Sequence, residues 1–397
     1  MQFTRNQIQL FSLIAVSMLA NITLGGGRIA ASLYMLRNGH TEAMAGIAYS
    51  GYSLLPALLS LYMGRWIDKV GARQVMRTSQ VIMILGLIAP SVWPSLVTVL
   101  GAAVVCGFGF ASYMLAANVA VSVMPFEQEG DRVGMLGWLA MGNSVAAVGG
   151  PAVAGFVIDH GGFAAAYATM GAIVCASLVV SFCVDVPGGA GGRRKVASGG
   201  ASVVRMVFTN PRLLRIYLLA MVVSMSYDGF AFMTPVLGHE RGFSATTIGM
   251  IMSSFAVGSF AIRALLPWMS RRLSEWRMMA LAFAITCGVF CLLPLISNGY
   301  LHAALGFVFG LAAGAGQPNI LSLIYRAMPD GKAGEGAGLR SMMGNSMGLT
   351  APSIYGAISG LFGAVPVFLG VGCIAGYASW QSHRGYRLSQ EVADPRP

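Results

Sequence analysis

Two charged residues lie inside long apolar stretches of this sequence: Arg28, which follows three glycines, and Asp228. A charge surrounded by apolar residues at membrane depth is costly, and it usually marks a proton relay, a ligand contact or a buried ion pair. Three interpretations follow. Asp228 carries a proton while Arg28 modulates it; Arg28 binds an anionic ligand group, with Asp228 as its partner when the site is empty; or the two residues form a structural ion pair.

Uncharged polar residues in other apolar stretches are candidates for the lining of the same site. Gln317 and Asn319 flank a helix-breaking proline, and Asn118 lies in an earlier apolar run. Tyr113 and Tyr227 would supply aromatic walls. Packing between neighbouring helices explains such side chains equally well, because amides also join helices to each other.

No residue pattern predicts catalysis, a metal centre or a cofactor. The sequence has no G-x-x-x-x-G-K-[ST] loop, so we expect no direct use of ATP. Its five histidines are far apart, and its six cysteines lie in apolar stretches without a C-x-x-C pair. We therefore expect a protein that is not an enzyme and that holds neither a metal ion nor a cofactor.

The composition predicts a membrane protein with many spans. Of 397 residues, 56% are hydrophobic and 10% are charged, and the mean hydropathy is +0.70. Soluble domains carry about 25% charged residues, so too little polar material is present to cover a globular surface. Segments long enough to cross a bilayer occur near 8–36, 42–63, 75–93, 95–123, 133–158 and 163–185, and again near 213–237, 244–267, 277–297, 300–327, 337–361 and 364–381.

These two groups of six segments are copies of each other. The tetrapeptide M-G-N-S begins at Met141 and again at Met343, and Gly107 and Gly310 are 203 residues apart. Because both groups start on the same side of the membrane, the repeats are parallel. The sequence predicts an all-α membrane protein of twelve transmembrane helices in two pseudo-symmetric six-helix bundles.

The repeat also relates the two buried charges. An offset of 203 residues places Asp228 at the position of Gly25, so it lies within about one helical turn of Arg28 in depth. The predicted boundaries are a first bundle at 1–186, a glycine-rich basic linker at 187–212, and a second bundle with a short tail at 213–397.

The distribution of positive charge predicts the orientation. The net charge is +11, and 25 residues are Lys or Arg. Arg37 and Arg241 fall on one side of the membrane, Arg28 and Arg263 lie within apolar runs, and the others fall on the opposite side. This positive-inside pattern predicts cytoplasmic termini in a bacterial inner membrane and no nucleic-acid partner. We expect Arg263 to extend to the cytoplasmic surface.

The stretch G-R-W-I-D-K-V-G-A-R opens at Gly64 and continues through Asp68, Gly71 and Arg73. It lies between two apolar runs and predicts a tight loop, with Asp68 near the N-terminal end of the next helix. It resembles G-x-x-x-D-(R/K)-x-G-R-(R/K), the loop signature of the major facilitator superfamily, apart from Ala72. Together with the repeat, the resemblance covers essentially the whole chain. It implies a gating loop and a substrate path between the halves.

A second motif lies in the fifth span, where Gly149, Gly150, Pro151 and Gly155 resemble the family's antiporter signature. Proline removes a backbone hydrogen bond and glycines allow close helix approach, so the motif predicts a bendable, tightly packed helix. In the fourth span, Ala103 stands where drug antiporters of the family carry an arginine. The proton-relay role of that arginine therefore does not carry over.

We predict a secondary transporter that works by rocker-switch alternating access, a proton-coupled exporter of a small organic molecule. Its predicted partners are that substrate, H⁺ and the lipid bilayer, and we expect a monomer. The alternative is an uptake carrier for organic anions or siderophores, with Arg28 binding the anionic group. A membrane protein without transport activity, such as a sensor or assembly factor, is a third hypothesis, which the absence of a sizeable soluble domain disfavours.

Overall fold

The computed structural model describes residues 5–123, 129–182, 200–329 and 332–393. Within these ranges the chain is helical apart from short turns and one 3₁₀ turn, Leu293–Leu295, and it has no strand, which confirms the predicted all-α fold. The helices are α1 (Arg5–Arg37), α2 (Glu42–Val70), α3 (Ala72–Val92), α4 (Leu96–Val123), α5 (Glu129–Phe182), α6 (Gly200–Thr209), α7 (Pro211–Glu240), α8 (Ala245–Met269), α9 (Glu275–Leu292), α10 (Gly299–Ala327), α11 (Ala333–Phe362) and α12 (Ala364–Ala393).

Corresponding helices in the two halves begin with the same local structure. Thr41 caps α2, where its side chain accepts a hydrogen bond from the backbone N–H of Met44 at 3.3 Å. Ser244 caps α8 in the same way, accepting from the N–H of Thr247 at 3.1 Å. Hydroxyl side chains at this position satisfy a helix N–H that has no partner within the helix. Because both members of each pair are 203 residues apart, the duplication extends to the caps.

Glycines with positive φ repeat in the same way. Gly39 and Gly242 have φ values of 76° and 70°, and Gly162 and Gly363 have values of 77° and 80°. Only glycine adopts this left-handed region readily, which explains why glycine occupies both copies of each turn. Gly162 divides α5 into two arms, residues 129–161 and 163–182.

Each half thus contributes six long helical segments to the described structure, with α6 between the halves. Nine helices are long and apolar enough to cross a membrane, and α2 makes ten if its two parts, which meet at an angle of 66°, form one span. That number counts α5 once, although it has two arms. It leaves out α11, which carries Arg340, Ser341 and Asn345.

The two halves meet along two seams, α5 with α8 and α2 with α11, while α1 packs mainly on α5 within the first half. Large apolar side chains cover much of the outside: Leu58, Trp93 and Tyr300 are 67%, 75% and 84% exposed. Exposure of such an apolar surface to water is unfavourable, whereas contact with the lipid core of a bilayer is not.

Part of the predicted linker at 187–212 is helical, from Gly200 to Thr209. The helix α6 packs on α7 and α11 and buries Val203 and Val207, four residues apart on one face. Asn210 then caps α7, accepting from the N–H of Arg212 at 3.0 Å. Residues 187–199 of the predicted linker, and the predicted boundary at residue 186, lie outside the described residues.

Candidate functional site

A cavity of about 290 Å³ lies between the two halves, enclosed by α1, α2, α7, α10 and α11. Four of the residues predicted from the sequence line it: Arg28, Tyr227, Asp228 and Gln317. Its volume is at the lower end of the range for small-molecule sites. The structure therefore places both buried charges in one cavity, and their roles stay predictions.

Arg28 is held on one side of this cavity by residues of α2. Its Nη2 donates a hydrogen bond to the hydroxyl of Ser53 at 3.3 Å, and its guanidinium lies 5.0 Å and 6.0 Å from the ring centroids of Tyr49 and Tyr52. Gly27 makes room for this arrangement, because a Cβ there would lie 2.7 Å from the Tyr52 hydroxyl oxygen. The cation–π contacts stabilise the charge, and Nε stays without a hydrogen-bond partner.

Asp228 faces the same cavity from α7, where its carboxylate accepts no hydrogen bond from any described residue. Gly348 of α11 lies opposite, and a Cβ there would be 3.6 Å from Oδ2 of Asp228. No nitrogen of Arg28 comes within the 4.0 Å of an ion pair with this carboxylate in the described structure. The two charges therefore share the cavity without direct ion-pair contact in this conformation, and all three interpretations of their roles stay predictions.

The other predicted lining residues lie elsewhere. Tyr113 is fully buried between α1 and α4, with its hydroxyl 2.9 Å from that of Ser17. Asn319 is buried and its Nδ2 has no partner in the described structure. Asn118 is exposed and donates to the carbonyl of Met114 at 2.9 Å. None of the three lines either of the two cavities between the halves that are described here.

Two residues of α11 that are absent from the predicted site, Arg340 and Asn345, line the cavity. The charge distribution counts Arg340 among the residues of the cytoplasmic side, although it lies three residues inside the predicted span at 337–361. The helix begins at Ala333, so Arg340 lies two turns inside it and points into the cavity. Asn345 lines the cavity beside it. The M-G-N-S repeat is the sequence feature that points to Asn345, because Asn143 and Ser144 of its first copy also line a cavity.

That second cavity, of about 250 Å³, lies between α1, α5, α7 and α8 and meets the first at Tyr227. Asn21 donates to the Oδ1 of Asn143 at 3.0 Å, and Arg263 donates to the hydroxyl of Ser144 at 2.6 Å. Arg263 is exposed, and its side chain also crosses from α8 to α5 of the other half; its predicted extension to the cytoplasmic surface stays a prediction.

At one end of the interface the halves touch through glycines. A Cβ at Gly155 of α5 would overlap the carbonyl oxygen of Ala245, at the start of α8. A Cβ at Gly356 of α11 would overlap the carbonyl oxygen of Glu42, at the start of α2. Since each member of one pair is the repeat counterpart of a member of the other, both seams close in the same way.

A second pair of glycines closes the seams from the opposite helices. A Cβ at Gly249 of α8 would overlap the carbonyl oxygen of Pro151, and one at Gly46 of α2 would overlap that of Pro352. We call this end, which carries the α1–α2 and α7–α8 turns, the sealed end. Of the predicted α5 motif, Pro151 and Gly155 form the seam with α8.

The other two residues of the motif, Gly149 and Gly150, face α1. A Cβ at Gly150 would lie 2.6 Å from the carbonyl oxygen of Ile22, whereas one at Gly149 would lie 3.6 Å from the Ile22 side chain, an ordinary contact. The motif therefore packs α5 against two helices at once.

Asp159 holds the sealed end of the α5–α8 seam. Its carboxylate accepts hydrogen bonds from the N–H groups of Ala245 and Thr246 at 3.0 Å and 2.6 Å and from the Thr246 hydroxyl at 2.7 Å, and it pairs with Arg37 at 3.1 Å. Partial burial alone would raise the pKa of Asp159, but these hydrogen bonds outweigh it and lower the pKa to about 2. A carboxylate at the N-terminus of α8 thus joins the two halves.

Replacing Asp159 with asparagine is expected to open the sealed end at least tenfold more often, because charged hydrogen bonds each contribute about 1.5–3 kcal/mol. The carboxylate's contribution is present above its ordinary pKa and is lost only as pH falls toward 2, so opening of the unmodified protein should not change through Asp159 between pH 5 and 8. Alkylation of a cysteine at Ser353, in a background without other cysteines, measures the opening. Glu275→Gln, which removes the ion pair with Arg326 at 3.0 Å within the second half, is the control, and equal alkylation in both variants would contradict the prediction.

The predicted gating loop joins α2 to α3. Gly71 ends α2 with φ 93° and its N–H donates to the carbonyl of Ile67 at 2.8 Å, so the tight turn requires glycine. Asp68 is exposed and makes no hydrogen bond in the described structure, and no side chain caps α3. Nothing within 4 Å faces a Cβ at Gly64. The gating role of Gly64, Asp68, Gly71 and Arg73 stays a prediction.

The model of the Major Facilitator Superfamily matches residues 10–352 of this chain. The chain belongs to this family, whose members are transporters rather than enzymes, which confirms the predicted family and the prediction that the protein is not an enzyme. The repeated helices and the cavity between the halves are features expected of the fold of this family.

Similar proteins include a multi-drug resistance efflux pump, PmrA, of Streptococcus pneumoniae serotype 4, 21% identical over 340 residues that cover 83% of each chain. A PmrA homologue of Lactococcus lactis is 20% identical over 336 residues, 81% of this chain and 80% of that one. Among solved structures, the nucleoside transporter NupG superposes with a TM-score of 0.79 at 14% identity, over 95% of this chain and 100% of the other. A bacterial homologue of the lysosomal transporter Spinster, inward-facing and unoccupied, gives 0.78 at 13% identity over 98% of each chain.

Proposed function

We propose that this transporter exports a small organic molecule in exchange for protons. The observation that carries the proposal is the Asp228 carboxylate, which faces the cavity between the halves without a hydrogen-bond partner among the described residues. A carboxylate in such a place can take up a proton from one side of the membrane and release it to the other as the cavity changes its opening. Among the residues that the structure describes, no other acidic side chain lines either cavity.

Alternating access is supported by the difference between the two ends of the interface. The sealed end is closed by backbone contacts at four glycines. Toward the opposite end, Arg263, Ser341 and Asn345 line the cavities and are exposed. Tilting of one bundle against the other would open the seams and close this second end.

The distribution of Lys and Arg supports an orientation in which the sealed end faces away from the cytoplasm. Arg37 and Arg241 lie beside the turns of the sealed end, and the basic loops lie at the other end. The structure would then be inward-facing, with both termini in the cytoplasm. We expect a monomer in a bacterial inner membrane, because both halves of the site come from one chain.

Export rather than uptake is supported by the α5 motif and by the efflux pumps among the relatives. A second candidate function is uptake of an organic anion. The observation that favours it is the pair of arginines, Arg28 and Arg340, in the first cavity. An anion bound beside them would favour the protonated form of Asp228, so proton and anion would move in the same direction.

The test is transport by purified protein in proteoliposomes under an imposed pH gradient, with a panel of organic cations, anions and zwitterions. Exchange predicts that substrate accumulates in the acidic compartment and that each substrate molecule moves against protons, which a pH-sensitive dye records. Accumulation of anions in the alkaline compartment would establish the uptake carrier instead. Substrate flux that does not depend on the imposed pH gradient would contradict both the exporter and the uptake carrier.

A further inference from the structure

The first cavity carries more positive than negative charge. The charged groups that face it are Arg28 from α1, Asp228 from α7 and Arg340 from α11; the residues contributed by α2 and α10, among them Ser53 and Gln317, are neutral. The second cavity adds Arg263 and, within the described part of the chain, no acidic residue. A purely cationic substrate would therefore meet net repulsion even when Asp228 is ionised.

Both arginines of the first cavity have unused hydrogen-bond donors. The Nε of Arg28 is buried without a partner, while the rest of the guanidinium is held by Ser53 and Tyr49. Arg340 forms no hydrogen bond or ion pair with any residue in the described ranges. Guanidinium groups bind carboxylates and related anions through paired hydrogen bonds, so this side of the cavity fits an anionic group.

Asp228 sets a second requirement on the same substrate, which is that it competes with the proton for the carboxylate. If the transporter exchanges substrate for protons, the substrate and the proton cannot both be bound to the Asp228 carboxylate at the same time. A basic group bound to the ionised carboxylate does so, because it competes with the proton for the same oxygens. A substrate with only an anionic group has the opposite effect, since a negative charge nearby favours the protonated carboxyl.

We propose that the substrate is a zwitterion, whose anionic group binds Arg340 and Arg28 and whose basic group binds Asp228. This inference rests on the proposed exchange of substrate for protons and names the substrate class of that site. Tyr227 lines both cavities, with its ring 5.3 Å from that of Phe255, and provides an apolar wall for the body of the molecule between the charged groups.

Three dyes on one scaffold test the charge requirement: a rhodamine methyl ester, which is a cation, its free acid, which is a zwitterion, and fluorescein, which is an anion. Binding is measured by fluorescence polarisation on the purified protein, and proton release in weakly buffered solution. We expect the free acid to bind at least tenfold more tightly than the other two and to release protons on binding. Equal or weaker binding of the free acid would overturn the proposal.

A substitution separates the anionic from the basic contact. Arg340→Gln should weaken binding of the free acid about tenfold and leave binding of the ester unchanged or tighter, whereas Arg212→Gln, at the exposed start of α7, removes the same charge as a control. Proton-driven exchange of the ester alone, unaffected by Arg340→Gln, would overturn the zwitterion and leave the exporter standing. Fluorescein moving together with protons would overturn both.

Discussion

Asparagine in place of Asp228 is expected to reduce proton-driven transport to the level of empty liposomes while the protein stays folded. The amide has nearly the shape of the carboxyl group but carries no ionisable proton, and the carboxylate makes no hydrogen bond in the described structure that its loss would break. Folding should therefore change little, because no hydrogen-bond partner is left unsatisfied and the only loss is the electrostatic attraction to Arg28 across the cavity. Uptake driven by a pH gradient, with thermal unfolding measured in parallel, checks both parts.

Two controls make this result specific to the proton. Exchange of labelled for unlabelled substrate without a gradient needs no net proton transfer, so it should persist in Asp228→Asn at saturating substrate, with a higher KM because the basic group loses its carboxylate partner. Ser224→Ala changes another side chain of α7 that lines the same cavity and should keep the gradient dependence. Full gradient-driven transport by Asp228→Asn would show that protons are carried elsewhere or not at all.

The second large effect is expected at the sealed end, where Gly155→Ala and Gly249→Ala should each stop transport by holding the seam open. The new Cβ would overlap a backbone carbonyl oxygen of the opposite half, which cannot rotate away as a side chain can. Overpacking of this kind costs about 1–3 kcal/mol, which shifts the balance between two conformations by roughly five- to two-hundredfold.

The chain offers a matched control for these substitutions. Gly360 lies one turn beyond Gly356 on α11, and nothing within 4 Å faces a Cβ there. Gly360→Ala should therefore transport normally, and alanine is the better helix former. Alkylation of a cysteine at Ser353, which lies in the α2–α11 seam with its hydroxyl 3.0 Å from that of Ser50, reports opening of the sealed end. Normal transport by Gly155→Ala would mean that the seam never closes as tightly as it does here.

The sequence by itself determined the membrane fold, the duplication and the correspondence of α2 in the first half to α8 in the second. These follow from apolar length, from a 203-residue spacing and from glycines and capping residues, all of which are properties of the linear chain. The glycine pairs Gly39 and Gly242, and Gly162 and Gly363, show that the repeat holds even for backbone conformation. The predicted depth of Arg28 and Asp228 in the membrane also follows from the repeat spacing of the linear chain.

Only the tertiary structure decided which side chains face the cavity. Gln317 and Asn319 are two residues apart on α10, yet the first lines the cavity and the second is buried, because two residues turn a helix by about 200°. Arg340 counts as a cytoplasmic charge in the sequence, whereas the packing of α11 places it on the cavity wall. Helix rotation and register are set by packing against neighbouring helices, and hydropathy carries little information about either. The sequence therefore predicts where the site lies along the membrane normal, while the packing of the two halves selects the residues that form it.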